Sequence, residues 1–405
     1  MSGMVTARPA VHVLYVIDSL DASGGAESSL AALAAPMVTE GLRLDVAYLH
    51  ERPGVHDELR TAGASLFSLV GPRRTAARRV AELTRRRAPD LVHTTLFEAD
   101  VSGRIGAALA GVPCVTSLVN ASYGADHVHD PALLAWKVRG AQALDIATAT
   151  LATRFHANAQ HVADLMSRRL LIPQRRIDVI PRGRDDQALG RRSDERSSRV
   201  REHLGVDPTT TLIVAVARHE RQKGIDVLID ALPRVLACRP QIQVVIAGRE
   251  GNQTAQLRDA IVRLGLDDIV RLLGTRDDVA DLLSAADLLV APSRWEGLPG
   301  VLIEALALEA PIVASDLPAV HEVVGSGGSV AHLVPPDRPA ELADAIVDVL
   351  SDPSTATARA RRGRARFICA FTIESIADRM IEFYGRSVSG GNRRWRLGTI
   401  RRRAG

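Results

Sequence analysis

The chain has 405 residues, too many for one ordinary hydrophobic core, so two domains of roughly 150–200 residues each are expected. Apolar residues make up 46% and aromatic residues 3%, so the core must be built from Ala, Val, Leu and Ile, which suits helices packed on parallel strands. The formal charge is +4, but the C-terminal RRWRLGTIRRRAG holds six arginines and no acid; without it the chain is near −2, which argues against a basic body built for nucleic acid.

No apolar run approaches ~20 residues, so no membrane span is expected. The N-terminus lacks the basic start and apolar run of a signal peptide, and a cytoplasmic protein is expected. Cys114, Cys238 and Cys369 form no metal or redox motif and are expected as reduced, buried thiols. Of 51 basic residues, only Lys137 and Lys223 are lysine. A lysine in an arginine-rich chain marks a position that wants a compact ammonium.

Along the chain, VHVLYVI (11–17) reads as a strand, followed by a glycine turn and the helical AESSLAALA. Further strands are expected at 42–49, 65–70, 90–95 and 113–119, separated by Ala/Arg/Leu-rich helices. Strand and helix alternating at this spacing predict right-handed βαβ units and a parallel sheet. Residues 182–202 are polar and charged and read as a linker. Alternation restarts with strands at 211–217, 242–248, 269–274, 287–293 and 311–316, and helices at 225–237, 253–264, 277–285 and 299–308. The fold class is therefore α/β: two doubly wound, Rossmann-like parallel-sheet domains. Ligands of such sheets bind beyond the carboxyl ends of the strands, and a cleft between the domains is the expected active site.

In PSRWEGLPGVLIEA (292–305), a buried strand ends and a helix begins near Pro299. The amides of Gly300 and Val301 are then free at a helix N-terminus, a ready anion site. Glu296 precedes the helix and Glu304 lies about a turn inside it. The two acids are placed to hold different parts of one long ligand, or are simply a solvated loop acid and a surface helix acid. In VAVARHERQKGIDVLIDAL (214–232), Arg218 ends a strand and Lys223 precedes Gly224. A planar guanidinium and a point-charge ammonium at one sheet edge suit phosphate. Gly24 and Gly25 stand at the first strand–helix turn, where glycine lets amides approach a phosphate or serves helix–sheet packing alone.

ARHERQKG, PSRWEGLPGVLIEA and PIVASDLPAVHEV together resemble the donor-binding half of family 4 glycosyltransferases, which have the GT-B architecture. SGGAE (23–27) resembles the family's N-terminal glycine loop, and RIDVIPRGRD (176–185) its inter-domain segment. The resemblance implies a retaining transferase that takes a sugar from a nucleotide-diphosphate sugar. It implies that Arg218 and Lys223 bind the donor diphosphate, that Glu304 holds the ribose hydroxyls, that Glu296 lies near the donor sugar, and that the segment Thr275–Val279 contacts the base. Arg218, Lys223 and Glu296 are the expected catalytic residues. It also implies an acceptor domain over 1–190, a donor domain over 191–371, and a helix over 372–386 that returns to the first domain. The basic tail 387–405 is expected to be disordered.

The sequence departs from the family pattern in three places. The histidine that many members carry after the fifth N-terminal strand is missing: that place reads Val119-Asn120. Acceptor-side candidates are Asn120, His127 and His93, the last equally readable as a packed histidine. The usual PNG reads Pro181-Arg182-Gly183, and the glycine before PIVAS is Glu309.

There is no G-x-G-x-x-G after a strand, no P-loop around either lysine and no Asp-x-Asp, so neither a dehydrogenase, a P-loop nucleotidase nor a bound metal is expected. The nucleotide sugar is a co-substrate, and no other cofactor is expected. The expected function is transfer to a glycan, lipid-linked or small-molecule acceptor. A sugar-nucleotide epimerase or hydrolase of the same architecture and a non-catalytic nucleotide-sugar-binding subunit are the alternatives. Basic segments at 71–87, with Val80 and Leu83 on a narrow apolar face, and 393–403 are expected to contact anionic membrane.

Overall fold

Short runs of aliphatic and β-branched residues form thirteen strands among the residues described in this computed structural model, which are 11–21, 25–120, 122–123 and 135–401, with side chains as far as residue 389. Two compact units result: Met1–Gly183 with Ile373–Gly405, and Arg184–Thr372.

The first unit holds β1 (His12–Ile17), β2 (Arg43–Tyr48), β3 (Ser65–Ser68), β4 (Leu91–Thr95), β5 (Cys114–Leu118), β6 (Arg154–Ala157) and β7 (Ile177–Val179). They pair in parallel in the order β3-β2-β1-β4-β5-β6-β7. Every residue of β1, β4 and β5 is buried, as expected of strands covered on both faces.

The second unit holds β8 (Thr211–Val216), β9 (Ile242–Ala247), β10 (Val270–Gly274), β11 (Leu288–Ala291), β12 (Ile312–Ser315) and β13 (His332–Val334). They too are parallel, in the order β10-β9-β8-β11-β12-β13. In each sheet the strand order reverses once, at β1/β4 and at β8/β11. At such a point the chain leaves neighbouring strands toward opposite faces and opens a crevice beyond their carboxyl ends. Both sheets are doubly wound, as the alternation predicted.

Several expectations need correcting. The division falls at Gly183/Arg184 and Thr372/Ile373, so from Arg184 onward the segment expected as a linker belongs to the second unit. It forms helices Asp186–Leu189 and Asp194–Leu204, capped by the side chains of Asp185 and Ser193. Several of its charges are paired: Asp186 accepts two 2.6 Å bonds from Arg364, and Arg201 donates to Asp287 at 2.6 Å. Of the cysteines, only Cys114 is buried; Cys238 and Cys369 sit on outward helix faces and are exposed. In helix Ala76–Arg87, Val80 and Leu83 are 0% and 1% exposed and pack into the first unit's core, so this apolar face is not available to lipid. Several of the helix's arginines are also engaged, Arg87 with Asp45 and Arg85 with the Leu109 carbonyl. Glu309 adopts φ +52°, the left-handed conformation that a glycine would take without strain.

The C-terminal helix runs from Ile373 to Arg401, so it continues through residues expected to be disordered; they contain no proline to stop it. Ile373, Ile376, Ala377, Met380, Phe383 and Tyr384 recur at helical spacing and are buried; all but Ile373 join the first unit's core. No helix among the described residues is long and apolar enough to cross a membrane.

Tyr384 also closes a buried polar chain. His156 Nε2 is 2.8 Å from the Ile180 carbonyl, which only accepts, so His156 donates there and its Nδ1 accepts. Ser117 then donates to His156 Nδ1 (2.9 Å), His93 Nε2 donates to Ser117 (2.7 Å), and Tyr384 donates to His93 Nδ1 (2.7 Å). Burial lowers the pKa of His156 to about 4 and that of His93 well below the ordinary histidine value, which keeps both rings neutral as this chain requires.

A neutral histidine in the fold that protonates more readily when unfolded stabilises the protein above the unfolded pKa near 6.5, and that contribution is lost as pH falls toward about 4. His156→Gln should therefore destabilise the protein most at pH 7, and less at each step down to pH 4.5. Urea unfolding of both proteins across that range checks this; a penalty that does not change with pH would show that the fold does not lower the pKa of His156.

Candidate functional site

The second sheet reverses between β8 and β11, and the loops leaving these strands carry ARHERQKG and PSRWEGLPG. After β8 the backbone makes a short 3₁₀ turn, Arg221–Lys223, and enters helix Ile225–Cys238 through Gly224. Gly224 has φ +63°, and a Cβ there would run into the Pro292 carbonyl. Glycine is required on both counts, and it lets the two loops touch.

Polar contacts then join the loops. The Arg294 amide donates to the Gln222 carbonyl at 2.8 Å, and Gln222 Nε2 donates to the Trp295 carbonyl at 3.0 Å. Arg294 grips Asp226 through two bonds of 2.8 and 2.7 Å and reaches Asp337 at 2.6 Å. Burial alone would raise the Asp226 carboxyl, but Arg294 holds it below its ordinary pKa, so this pair is ionised. Lys223 Nζ donates to both oxygens of Glu296, at 2.7 and 2.9 Å, and Ser293 Oγ donates to Oε1 at 2.8 Å.

These loops enclose a cavity of about 240 Å³. Arg218, Lys223 and Glu296 line it together with Ser293, Gly300 and Val301. Arg218 is exposed, and its side chain makes no hydrogen bond or ion pair among the described residues. Helix Gly300–Ala307 starts at the cavity wall, so the first-turn amides of Gly300 and Val301, which have no partner inside the helix, belong to this wall. The cavity thus combines a lysine, an exposed arginine and a helix N-terminus, all suited to an anion.

The other expected donor residues stand apart from this cavity. Glu304 lies one turn along the helix and accepts a 2.7 Å bond from Arg184 Nε. Thr275 follows β10 at the same carboxyl edge, two strands from β8, and Val279 opens helix Val279–Ala285. Neither lines the cavity.

In the first unit, Gly25 opens helix Gly25–Thr39 against the Arg182 guanidinium. His93 proves to be a packed histidine, 1% exposed, with both ring nitrogens engaged by Tyr384 and Ser117, so it is not free to bind an acceptor. It lies beside a small cavity of about 50 Å³ whose wall includes Asn158, a 2% exposed residue with an unpartnered Oδ1. Asn120 is exposed just after β5. Gly24 and His127 lie outside the described residues.

Ser293 and Arg184 escaped the sequence reading. Ser293 stood inside the quoted motif, three residues before Glu296, and a turn that folds it back was the available signal. Arg184 lay in a segment read as a linker, among many arginines. No group of acids, histidines and cysteines among the described residues is arranged to hold a metal ion.

Both units resemble known proteins. Residues 24–183 match the family described as "Glycosyl transferase 4-like domain", and residues 210–352 match "Glycosyl transferases group 1". A lipopolysaccharide core biosynthesis mannosyltransferase of Rhizobium meliloti is 31% identical over 186 residues, which is 45% of this chain and 53% of that protein, so the match spans about half the length of that relative. An alpha-D-kanosaminyltransferase of Streptomyces kanamyceticus is 27% identical over 285 residues, 68% of this chain and 71% of that protein. The crystal structure of Anabaena HepE in complex with UDP aligns over 93% of this chain and 100% of its own, with a TM-score of 0.79 at 22% identity. WaaG, a glycosyltransferase involved in lipopolysaccharide biosynthesis, aligns over 92% and 99% with a TM-score of 0.69 at 16% identity. Two doubly wound parallel sheets, each unit matched by its own glycosyltransferase family description, place this chain among the family 4 glycosyltransferases of GT-B fold.

Proposed function

We propose that this chain transfers a sugar, with retention of configuration, from a nucleoside-diphosphate sugar bound by the Arg184–Thr372 unit to a hydroxyl acceptor bound by the other unit. The observation that carries this reading is the convergence of Arg218, Lys223 and the Gly300–Val301 amides on one cavity at the β8/β11 reversal. The UDP and UDP-glucose complexes of HepE support a donor of this class.

In the proposed reaction the bond from the anomeric carbon to the diphosphate breaks, and the acceptor oxygen bonds that carbon on the same face. The acceptor's proton passes to an oxygen of the departing diphosphate. Negative charge grows on the diphosphate as it leaves, and Arg218, Lys223 and the helix amides stabilise that growth without needing to reorganise. Glu296 holds the Lys223 ammonium and, in the family's arrangement, lies near the donor sugar. Glu304 is assigned to the ribose hydroxyls and Thr275–Val279 to the base. Asn120 and Gly25 remain acceptor- and phosphate-side assignments of the first unit.

Arg218→Ala and Lys223→Ala should each lower turnover by about two to three orders of magnitude, the scale of one lost charge stabiliser. Arg218 is exposed, so its loss should barely move the unfolding midpoint, whereas Lys223→Ala also leaves the Glu296 carboxylate without its ammonium and should lower the midpoint. Steady-state turnover over a panel of nucleotide sugars checks this; either variant working within a few-fold of wild type removes the diphosphate assignment. Donor consumed at the same rate without any acceptor would make the protein a hydrolase or epimerase instead.

The proposed chemistry needs no metal ion, because protein cations and amides meet the diphosphate charge. Turnover should survive excess EDTA. Loss of activity that magnesium or manganese restores would contradict this.

With Val80 and Leu83 turned into the core, contact of segment 71–87 with a membrane rests on charge alone. We assign the protein to the cytoplasm, with the arginines of 71–87 and those of 393–403, whose side chains lie outside the described residues, as the cations that meet anionic lipid. In vesicle co-sedimentation, binding should require anionic lipid and fall steeply as salt is raised from roughly 50 to 300 mM, because added ions shorten the reach of surface charge. Equal sedimentation with neutral vesicles, or none with anionic ones, rules this surface out.

A further inference from the structure

Arg184 is the first residue of the second unit, and its position is unusual for a cation. Its Nε donates to Glu304 Oε1 at 2.7 Å, and its guanidinium lies over Gly300, the residue that opens helix Gly300–Ala307 and lines the cavity. A Cβ at position 300 would collide with Arg184 Nη2, so the missing side chain of Gly300 makes the room this guanidinium occupies. The start of a helix carries partial positive charge and disfavours a cation. Here one carboxylate, a turn further along, offsets that cost.

The arginine is also held firmly in place. The Arg184 amide donates to the Phe371 carbonyl at 2.8 Å, the next residue caps helix Asp186–Leu189, and Asp186 is gripped by Arg364. This anchored backbone sets the Arg184 guanidinium beside Gly300, a residue of the cavity wall that Arg218 and Lys223 also line. Helix amides and three cations at one place leave a surplus of positive charge that Glu296 and Glu304 only partly neutralise. An anion carrying more than one charge complements that surplus.

We propose that Arg184 is a third cation for the donor's diphosphate, bridging a phosphate oxygen and Glu304 so that phosphate and ribose are gripped by one connected group. This rests on the donor-site reading above. It assigns Arg184 a role distinct from propping Glu304, because the guanidinium can keep its Nε bond to the carboxylate while its Nη atoms turn to the phosphate.

Calorimetric titration separates these roles. Wild type, Arg184→Ala, Arg184→Gln, Arg184→Lys and Arg218→Ala are each titrated with UDP, GDP and ADP and with uridine, guanosine and adenosine, and each protein's melting temperature is recorded. For the base that wild type prefers, Arg184→Ala and Arg184→Gln should weaken the diphosphate by about 10- to 100-fold, the scale of a charge-assisted hydrogen bond. The nucleoside should change by less than about three-fold, and Arg184→Lys should recover part of the diphosphate loss. The Arg184→Gln variant retains reach and a donor for Glu304, so the inference does not hang on whether Arg184→Ala folds. Equal weakening of nucleoside and diphosphate would reduce Arg184 to a prop for Glu304, and tighter diphosphate binding would make it a blocker; either overturns the inference. If Arg218→Ala leaves diphosphate affinity unchanged, or wild type binds none of the three diphosphates, the donor-site reading itself fails and Arg184's role fails with it.

Discussion

Lys223 and Glu296 are 73 residues apart in sequence, and the bonds between them hold the site together. Each sits on a loop that leaves a neighbouring strand of the second sheet. The pairing is possible because β8 and β11 lie side by side where the strand order reverses, and because Gly224 lets one backbone press against Pro292. A larger residue at 224, or another strand between these two, would separate the loops. Ser293 and Arg294 then set the loop itself: one fixes the carboxylate, the other locks the turn to Asp226 and Asp337.

Charge is arranged so that Arg294 is committed to the loops it shapes, while Arg218 is left exposed on the cavity wall where a ligand would enter. Arg294 is bound by two carboxylates and a carbonyl, which take four of its five N–H donors. Arg218 faces the cavity with no partner among the described residues, and Lys223 shares its partner with Ser293. A diphosphate entering such a site meets donors already oriented toward it, so little reorganisation is needed as charge develops. The first unit shows the same economy in another form. There the direction of each bond in the Tyr384–His93–Ser117–His156 chain follows from the Ile180 carbonyl, which can only accept.

Much of this was legible in the sequence. The fully buried strands announced themselves as apolar runs, and the spacing between them gave two parallel sheets. β6 (RFHA) and β7 (IDV) were not legible, because they are short and half polar, and their membership depends on pairing with distant strands. Lys223 stood out because lysine is rare here, whereas Arg184 did not, because arginine is this chain's default cation. The helices at 186–189 and 194–204 looked like a linker since their stabilising partners, Arg364, Asp281 and Asp287, lie far away in sequence. His93 could not be placed without knowing that Tyr384 returns to it across 291 residues.

The central claim is that a nucleoside diphosphate binds where β8 and β11 diverge. Amide hydrogen exchange with and without a saturating nucleoside diphosphate tests it most directly, because it reads every segment at once and assumes no residue's role. The account predicts slowed exchange in 217–225 and 292–304, including the opening turn of helix Gly300–Ala307, with little change in β12 and β13. Protection concentrated elsewhere in the chain, with those two loops exchanging as before, would contradict it.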